Sequence, residues 1–150
     1  MPQSLARIHI HLIFSTKNRE RFLSDGIRSD LHAYMATVLN NIRCSTVLIN
    51  SVEDHVHILF ELGRTVSVSE AVEEVKKHSS KWIKTQGPAF KSFAWQTGYG
   101  AFAVSESNVD AVLKYIADQQ EHHRVKTFRD EYRAFLKKHA LEFDERHVWE

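Results

Sequence analysis

Ten histidines fall in this chain of 150 residues, and four of them make two His-x-His pairs, His9 with His11 and His55 with His57. An extended strand sends alternate side chains to opposite faces, so in the run from Asp54 to Phe60 the rings of His55 and His57 project together while Val56, Ile58 and Phe60 turn the other way. Imidazole nitrogen is a common ligand for divalent metals, and a strand holds two rings in fixed relation, but a working site needs a third donor and an open position. At this histidine content chance supplies about one such pair. Spacing alone therefore leaves two readings, a metal pair or polar residues on the wet face of a sheet. Further on, Tyr115 and Gln119 are one helical turn apart and His122 continues their line. A tyrosine there, beside a buried stripe, equally fits ordinary packing at a helix border.

These residues need elements to position them. Ile8, Ile10, Leu12 and Phe14 alternate with His9, His11 and Ile13, the period of a half-buried strand. A short basic loop follows, with Lys17, Arg19 and Arg21. Residues 27–42 place Ile27, Leu31, Tyr34, Met35, Val38, Leu39 and Ile42 at helical intervals. Two strands, about Thr46 to Val52 and His55 to Leu62, are joined by Glu53-Asp54 alone, which predicts an antiparallel hairpin. Ser67 with Glu70 forms a capping box for a helix that Gly87-Pro88 ends near Gln86. Phe93 to Val104 reads as a strand interrupted at Gly98 and Gly100, where a bulge or a close backbone approach is expected. A third helix begins near Ser107, with Val109, Val112, Leu113 and Ile116 on its buried stripe. A fourth, from about Thr127, carries Phe128, Tyr132, Phe135 and Leu136, and the last residues read as a tail. Hairpin strands with helices between them predict one α+β domain over residues 1–150, a mostly antiparallel sheet with helices packed on one face.

The composition agrees with a single globular domain: 43% of residues are hydrophobic and 26% charged. A formal net charge of +1 excludes a strongly basic protein, so contact with nucleic acid has to come from local clusters of Lys and Arg. The one cysteine, Cys44, can form no internal disulfide, and neither a signal peptide nor a membrane span is apparent, so a cytoplasmic location and no membrane partner are expected.

Taken together, the residues resemble the HUH endonucleases, where U is a hydrophobic residue, and in particular the small single-tyrosine transposases of the insertion sequence 200/605 type. The resemblance runs from His-Ile-His-Leu-Ile-Phe-Ser-Thr-Lys-Asn-Arg at residues 9–19, through Asp54-His55-Val56-His57-Ile58-Leu59-Phe60 and Trp95-Gln96-Thr97-Gly98-Tyr99-Gly100-Ala101-Phe102, to Tyr115-Ile116-Ala117-Asp118-Gln119. The stretch from Phe128 to Trp149 is similar to a subgroup that includes the transposases associated with repetitive extragenic palindromes. The resemblance implies a ferredoxin-like, RRM-like HUH fold, with Tyr115 as nucleophile and His55, His57 and Gln119 as ligands of Mg2+ or Mn2+. It selects His55 and His57 over His9 and His11, because the family's pair follows an acidic residue on the later hairpin strand; His11 is expected to line the site without being a ligand. It further implies single-stranded DNA with a hairpin as substrate, cleavage and rejoining through a 5′-phosphotyrosine, and a homodimer in which subunits can share active sites.

Single strands are bound by basic grooves and by aromatic rings on which bases stack. Lys17, Arg19, Arg21, Lys114, Arg124 and Lys126 are the candidate phosphate contacts, and Trp95 and Tyr99 the candidate stacking groups. Two other readings stay open: a non-catalytic domain binding single-stranded nucleic acid, and a metal-dependent hydrolase in which His122 or His123 joins the histidine pair and water attacks.

Overall fold

The computed structural model describes residues 2–122 and 126–150, leaving the side chain of His122 undescribed. Four strands, β1 (His9–Ser15), β2 (Ser45–Ser51), β3 (His55–Glu61) and β4 (Gly100–Val104), form one sheet in the order β2-β3-β1-β4. Every pairing is antiparallel. The helices are α1 (Asp25–Asn41), α2 (Val68–Lys84), α3 (Val109–Ala117), the single turn α4 (Gln119–His122) and α5 (Phe128–Lys138). The βαββαβ succession with β1 beside β3 is the ferredoxin-like arrangement.

The two-residue alternation divides the sheet into unlike faces. Ile10, Leu12 and Phe14 of β1 and Val56, Ile58 and Phe60 of β3 enter a core with Leu31, Met35 and Leu39 of α1 and Val72, Val75 and Ile83 of α2. Ser67 starts α2 as expected, its hydroxyl accepting the Glu70 amide at 3.1 Å. The opposite face carries His11, Ile13, His55 and His57, and it too is covered. Ile13 and Phe102 pack there with Phe128, Tyr132 and Leu136 of α5. Helices on one face thus describe α1 and α2 only, because the histidine face has an apolar strip of its own that a further amphipathic helix buries.

β4 is shorter than the alternation in residues 93–104 suggests. Lys76 Nζ donates to the carbonyls of Gln96 and Gly98 at 2.7 Å each and of Thr97 at 3.2 Å, so a lysine takes up carbonyls that a strand would give to a ladder. Trp95 keeps an isolated bridge to Thr16. Of the two outcomes open at the glycines, close approach is the one found: a Cβ on Gly100 would lie 2.5 Å from the Tyr132 ring, and one on Gly98 would lie 3.0 Å from the Glu150 carbonyl oxygen. The C-terminal residues cross this segment, with Gly98 N–H donating to Glu150 O at 2.8 Å and Trp149 lying 5.0 Å from both the Arg129 and the Arg133 guanidinium.

Candidate metal and tyrosine site

β3 delivers His55 and His57 to the second face as its alternation requires, and both are fully buried. The wet-face reading is thereby removed. Each ring is fixed by its Nδ1. His55 Nδ1 meets Asp54 Oδ1 at 2.7 Å, and His57 Nδ1 meets His11 Nε2 at 2.8 Å. Partners of this kind set the tautomer and orientation of a ligating imidazole. Both Nε2 atoms then converge on one carboxylate oxygen, Glu131 Oε1, at 3.2 Å from His55 and 2.9 Å from His57.

The three residues place ligand atoms within 4.8 Å of one another. Bonds of about 2.1 Å at right angles hold neighbouring ligands about 3 Å apart, so these separations already suit adjacent positions around one divalent ion. The residues fit a metal, with borderline nitrogen donors beside a hard carboxylate. The charges around the pair point the same way. Burial works against protonating His55, yet its hydrogen bonds to Asp54 and Glu131 outweigh it and raise the pKa. A site that draws a proton here offers a cation favourable surroundings. His11 is the opposite case, lowered to about 3 by burial and then by His57, and so stays a neutral prop for the His57 ring.

Tyr115 reaches this cluster from α3. Asn50 lies directly across from His57 in the β2–β3 register, and its Nδ2 donates to the Ile116 carbonyl at 2.8 Å and the Ala117 carbonyl at 3.4 Å. The sheet thereby caps the helix one residue past the tyrosine. The same contacts break the helix at Asp118, so Gln119 begins α4 rather than continuing α3. Gln119 is nonetheless fully buried, and its Nε2 donates to the Tyr115 carbonyl at 3.3 Å. The Tyr115 ring lies 5.9 Å from the His57 ring, and its hydroxyl donates a hydrogen bond to Glu131 Oε2. Burial raises the pKa of this hydroxyl, and the negative charge of Glu131 raises it further, while a hydrogen bond from Gln119 acts the other way.

One chain thus brings together His55, His57, Tyr115 and Gln119, with His11 lining the site as expected. Glu131 is the residue sequence reasoning missed. The available signal was its place among Phe128, Tyr132 and Phe135 on α5, where an acid at a core position of an amphipathic helix has to find a partner. A cleft of about 410 Å3 opens beside the tyrosine between α3 and α5, with Val112, Phe102 and Phe135 among its walls and Lys126, Lys138 and His139 among its polar groups.

The expected DNA contacts are scattered by comparison. Lys17 and Arg21 are exposed, Arg19 is half-buried and donates to the Trp149 carbonyl at 3.2 Å, and Lys114 and Lys126 are exposed. Tyr99 is 37% exposed, whereas Trp95 belongs to the core, edge-on to Phe14 and Phe93 with Nε1 donating to Ser79. Arg124 and His123 lie outside the described residues. No described helix is long and apolar enough to cross a membrane.

The fold is the four-stranded antiparallel α+β architecture of the HUH tyrosine transposases. A candidate transposase from Deinococcus radiodurans R1 superposes with a TM-score of 0.62 at 21% identity, over 79% of this chain and 98% of that one. A tyrosine transposase associated with REP sequences, solved bound to a REP hairpin, gives 0.62 at 15% identity over 82% of this chain and 73% of that one. Among curated proteins no significant match was found. The family profile described as "Transposase IS200 like" matches residues 4–119, and the chain belongs to that family.

Proposed function

We propose that the protein cuts and rejoins single-stranded DNA carrying an imperfect palindrome, with Tyr115 as the nucleophile that becomes joined to the 5′ phosphate. The observation that carries this reading is the meeting of a tyrosine hydroxyl with a buried two-histidine, one-carboxylate cluster inside a chain of a transposase family. His55, His57 and Glu131 would hold the divalent ion, Mn2+ or Mg2+, with Gln119 close by as the ligand the family resemblance implies. When bound, the ion supplies Lewis-acid polarisation of the scissile phosphate.

The chain's own groups do the rest. Asp54 and His11 keep Nε2 of each histidine turned inward. Asn50 fixes the end of α3, and with it the height of Tyr115 over the sheet. A half-buried phenol attacks efficiently only if it is held in position beforehand, and helix capping together with the Glu131 contact provides that. Attack displaces the 3′ oxygen, and a 3′ hydroxyl returning to the phosphotyrosine reseals the strand without an external energy source. Lys17, Arg21, Lys114 and Lys126 are the exposed cations offered to phosphates, and Tyr99 is the ring offered for stacking. The REP hairpin bound by the structural neighbour supports hairpin DNA as the substrate class.

A homodimer follows from the family resemblance; sedimentation showing a monomer at working concentration would remove it. It would not have to exchange tyrosine helices, since one chain already joins Tyr115 to the histidine pair. The test of the reading is incubation with single-stranded hairpin DNA and Mn2+. A denaturation-resistant protein–DNA adduct is expected from the native sequence and none from Tyr115→Phe. Cleavage by Tyr115→Phe would instead favour water as nucleophile.

A further inference from the structure

The cleft beside Tyr115 is built mostly from residues that the metal cluster does not use. On one side Phe102 stacks on both Phe135, at 5.5 Å and 22°, and His139, at 4.5 Å and 24°. Across the opening the lining side chains are small, Ala111 on α3 and Ala134 on α5. Beside Glu131, whose oxygens face the histidine pair and Tyr115, the charged groups of the lining are Lys126 and Lys138. Asn108 lines it too, and although this residue is the N-cap of α3 its side chain does not cap the helix. A carboxamide carries both a donor and an acceptor. An apolar hollow of about 410 Å3 with a few polar groups is the usual make-up of a small-ligand pocket. Aromatic rings with cations beside them are what holds an unstacked base and its phosphates.

Resting on the transposase reading above, we propose that this cleft receives the base of the nucleotide immediately 3′ of the cut, the nucleotide whose 5′ phosphate becomes joined to Tyr115. In-line attack sets the leaving 3′ oxygen opposite the phenolic oxygen, so the upstream nucleotide extends away from the tyrosine. The downstream nucleotide is bonded to phosphorus through its 5′ oxygen, which departs sideways from that line and passes the wall that carries Tyr115. The two nucleotides also have unlike fates. The upstream 3′ end has to leave so that another can take its place, whereas the downstream nucleotide stays attached until rejoining. A pocket for the downstream base therefore steadies the covalent intermediate without hindering strand exchange. Drawing a base out of line costs least in a single strand. Selectivity at this position belongs to Phe102, Phe135 and Asn108, none of which holds the ion.

The test is single-turnover adduct formation at saturating Mn2+, with single-stranded hairpin DNA whose cut has first been mapped with the native protein. One base is removed at a time, from the nucleotide immediately 3′ or immediately 5′ of the cut, with the sugar–phosphate chain intact. Stacking on a protein ring is worth about 5- to 150-fold per base, and loss of the downstream base should slow the native protein by that factor. A penalty under about threefold overturns the proposal. Ala134 is exposed and lines the cleft, so Ala134→Trp fills it from α5. This variant should react more slowly with intact DNA, its downstream penalty should shrink to within about twofold, and its upstream penalty should equal that of the native protein. A downstream penalty that survives in full, or an upstream penalty that disappears in its place, overturns the proposal. Ala111→Trp, which fills the cleft from α3, repeats the comparison should the first variant fold poorly, and the measurement on the native protein needs neither. If the native protein forms no adduct, the transposase reading falls and the inference with it; if it forms one as fast without the downstream base, the inference alone falls.

Discussion

Replacing Phe128 by alanine is expected to undock α5 without unfolding the rest of the chain. Phe128 is 3% exposed and packs 4.8 Å from the His55 ring and 5.3 Å from the Tyr132 ring. Truncating a buried phenylalanine costs about 3–5 kcal/mol in lost transfer energy and cavity formation. Phe128 is one of three fully packed side chains that hold α5 on the second face, with Tyr132 and Leu136, whereas the core under α1 and α2 contains none of them. The cost therefore falls on one helix and not on the whole domain. At about 1.4 kcal/mol per tenfold, protection of the α5 amides against hydrogen exchange should fall by about two orders of magnitude or more, with the amides of α1 and α2 unchanged. Mn2+ affinity should fall alongside, because Glu131 leaves with the helix. Equal loss of protection in α1 and α5, or undiminished protection in α5, would refute the division of the molecule into two cores.

Other substitutions probe the end of α3, the metal cluster and the buried His32. Asn50→Ala removes the side chain that takes two carbonyls at the end of α3; the expected result is a loss of about 1–2 kcal/mol and slower adduct formation at unchanged Mn2+ affinity. Mn2+ at about one hundred times its dissociation constant should stabilise the fold by about 2.7 kcal/mol in thermal melts, and His57→Ala should abolish that shift. His32, bonded to Ser51 at 2.7 Å, has its pKa lowered to about 4 by burial and then by Arg28. A lowered value means that its contribution to stability is whole above about pH 6.5 and is lost as pH falls toward 4. The full difference corresponds to about 3 kcal/mol, which partial exposure of the ring reduces to about 1–2. Denaturant titrations of His32→Gln against the native sequence should show that part of the acid sensitivity disappear.

The elements that could be read from the sequence were those whose signal is local. Strand β1, the β2–β3 hairpin and the capped start of α2 follow from alternation, a two-residue connection and Ser67, and each needs no knowledge of its neighbours. The same alternation places His55 and His57 on a common face, while the metal-binding role proposed for them rests on the family resemblance. The misses were set by contacts between distant residues. Lys76 claims the carbonyls that would have extended β4, and Asn50 ends α3 before Gln119. Helix α5 was visible as an amphipathic segment, but its docking on the histidine face was not, and that docking buries the pair and brings in Glu131. An acid among Phe128, Tyr132 and Phe135 marked a buried partner without saying which. The cations gave the weakest signal, since residues such as Lys17 and Lys114 read the same way whether they meet phosphate or water.

If Tyr115 supplies the oxygen that joins protein to DNA, mass spectrometry of peptides from the protein after reaction with single-stranded hairpin DNA and Mn2+ will find it modified. The expected product is a nucleotide attached through its 5′ phosphate to the peptide containing Tyr115. An adduct on a different residue, or cleaved DNA with no residue modified, would contradict it.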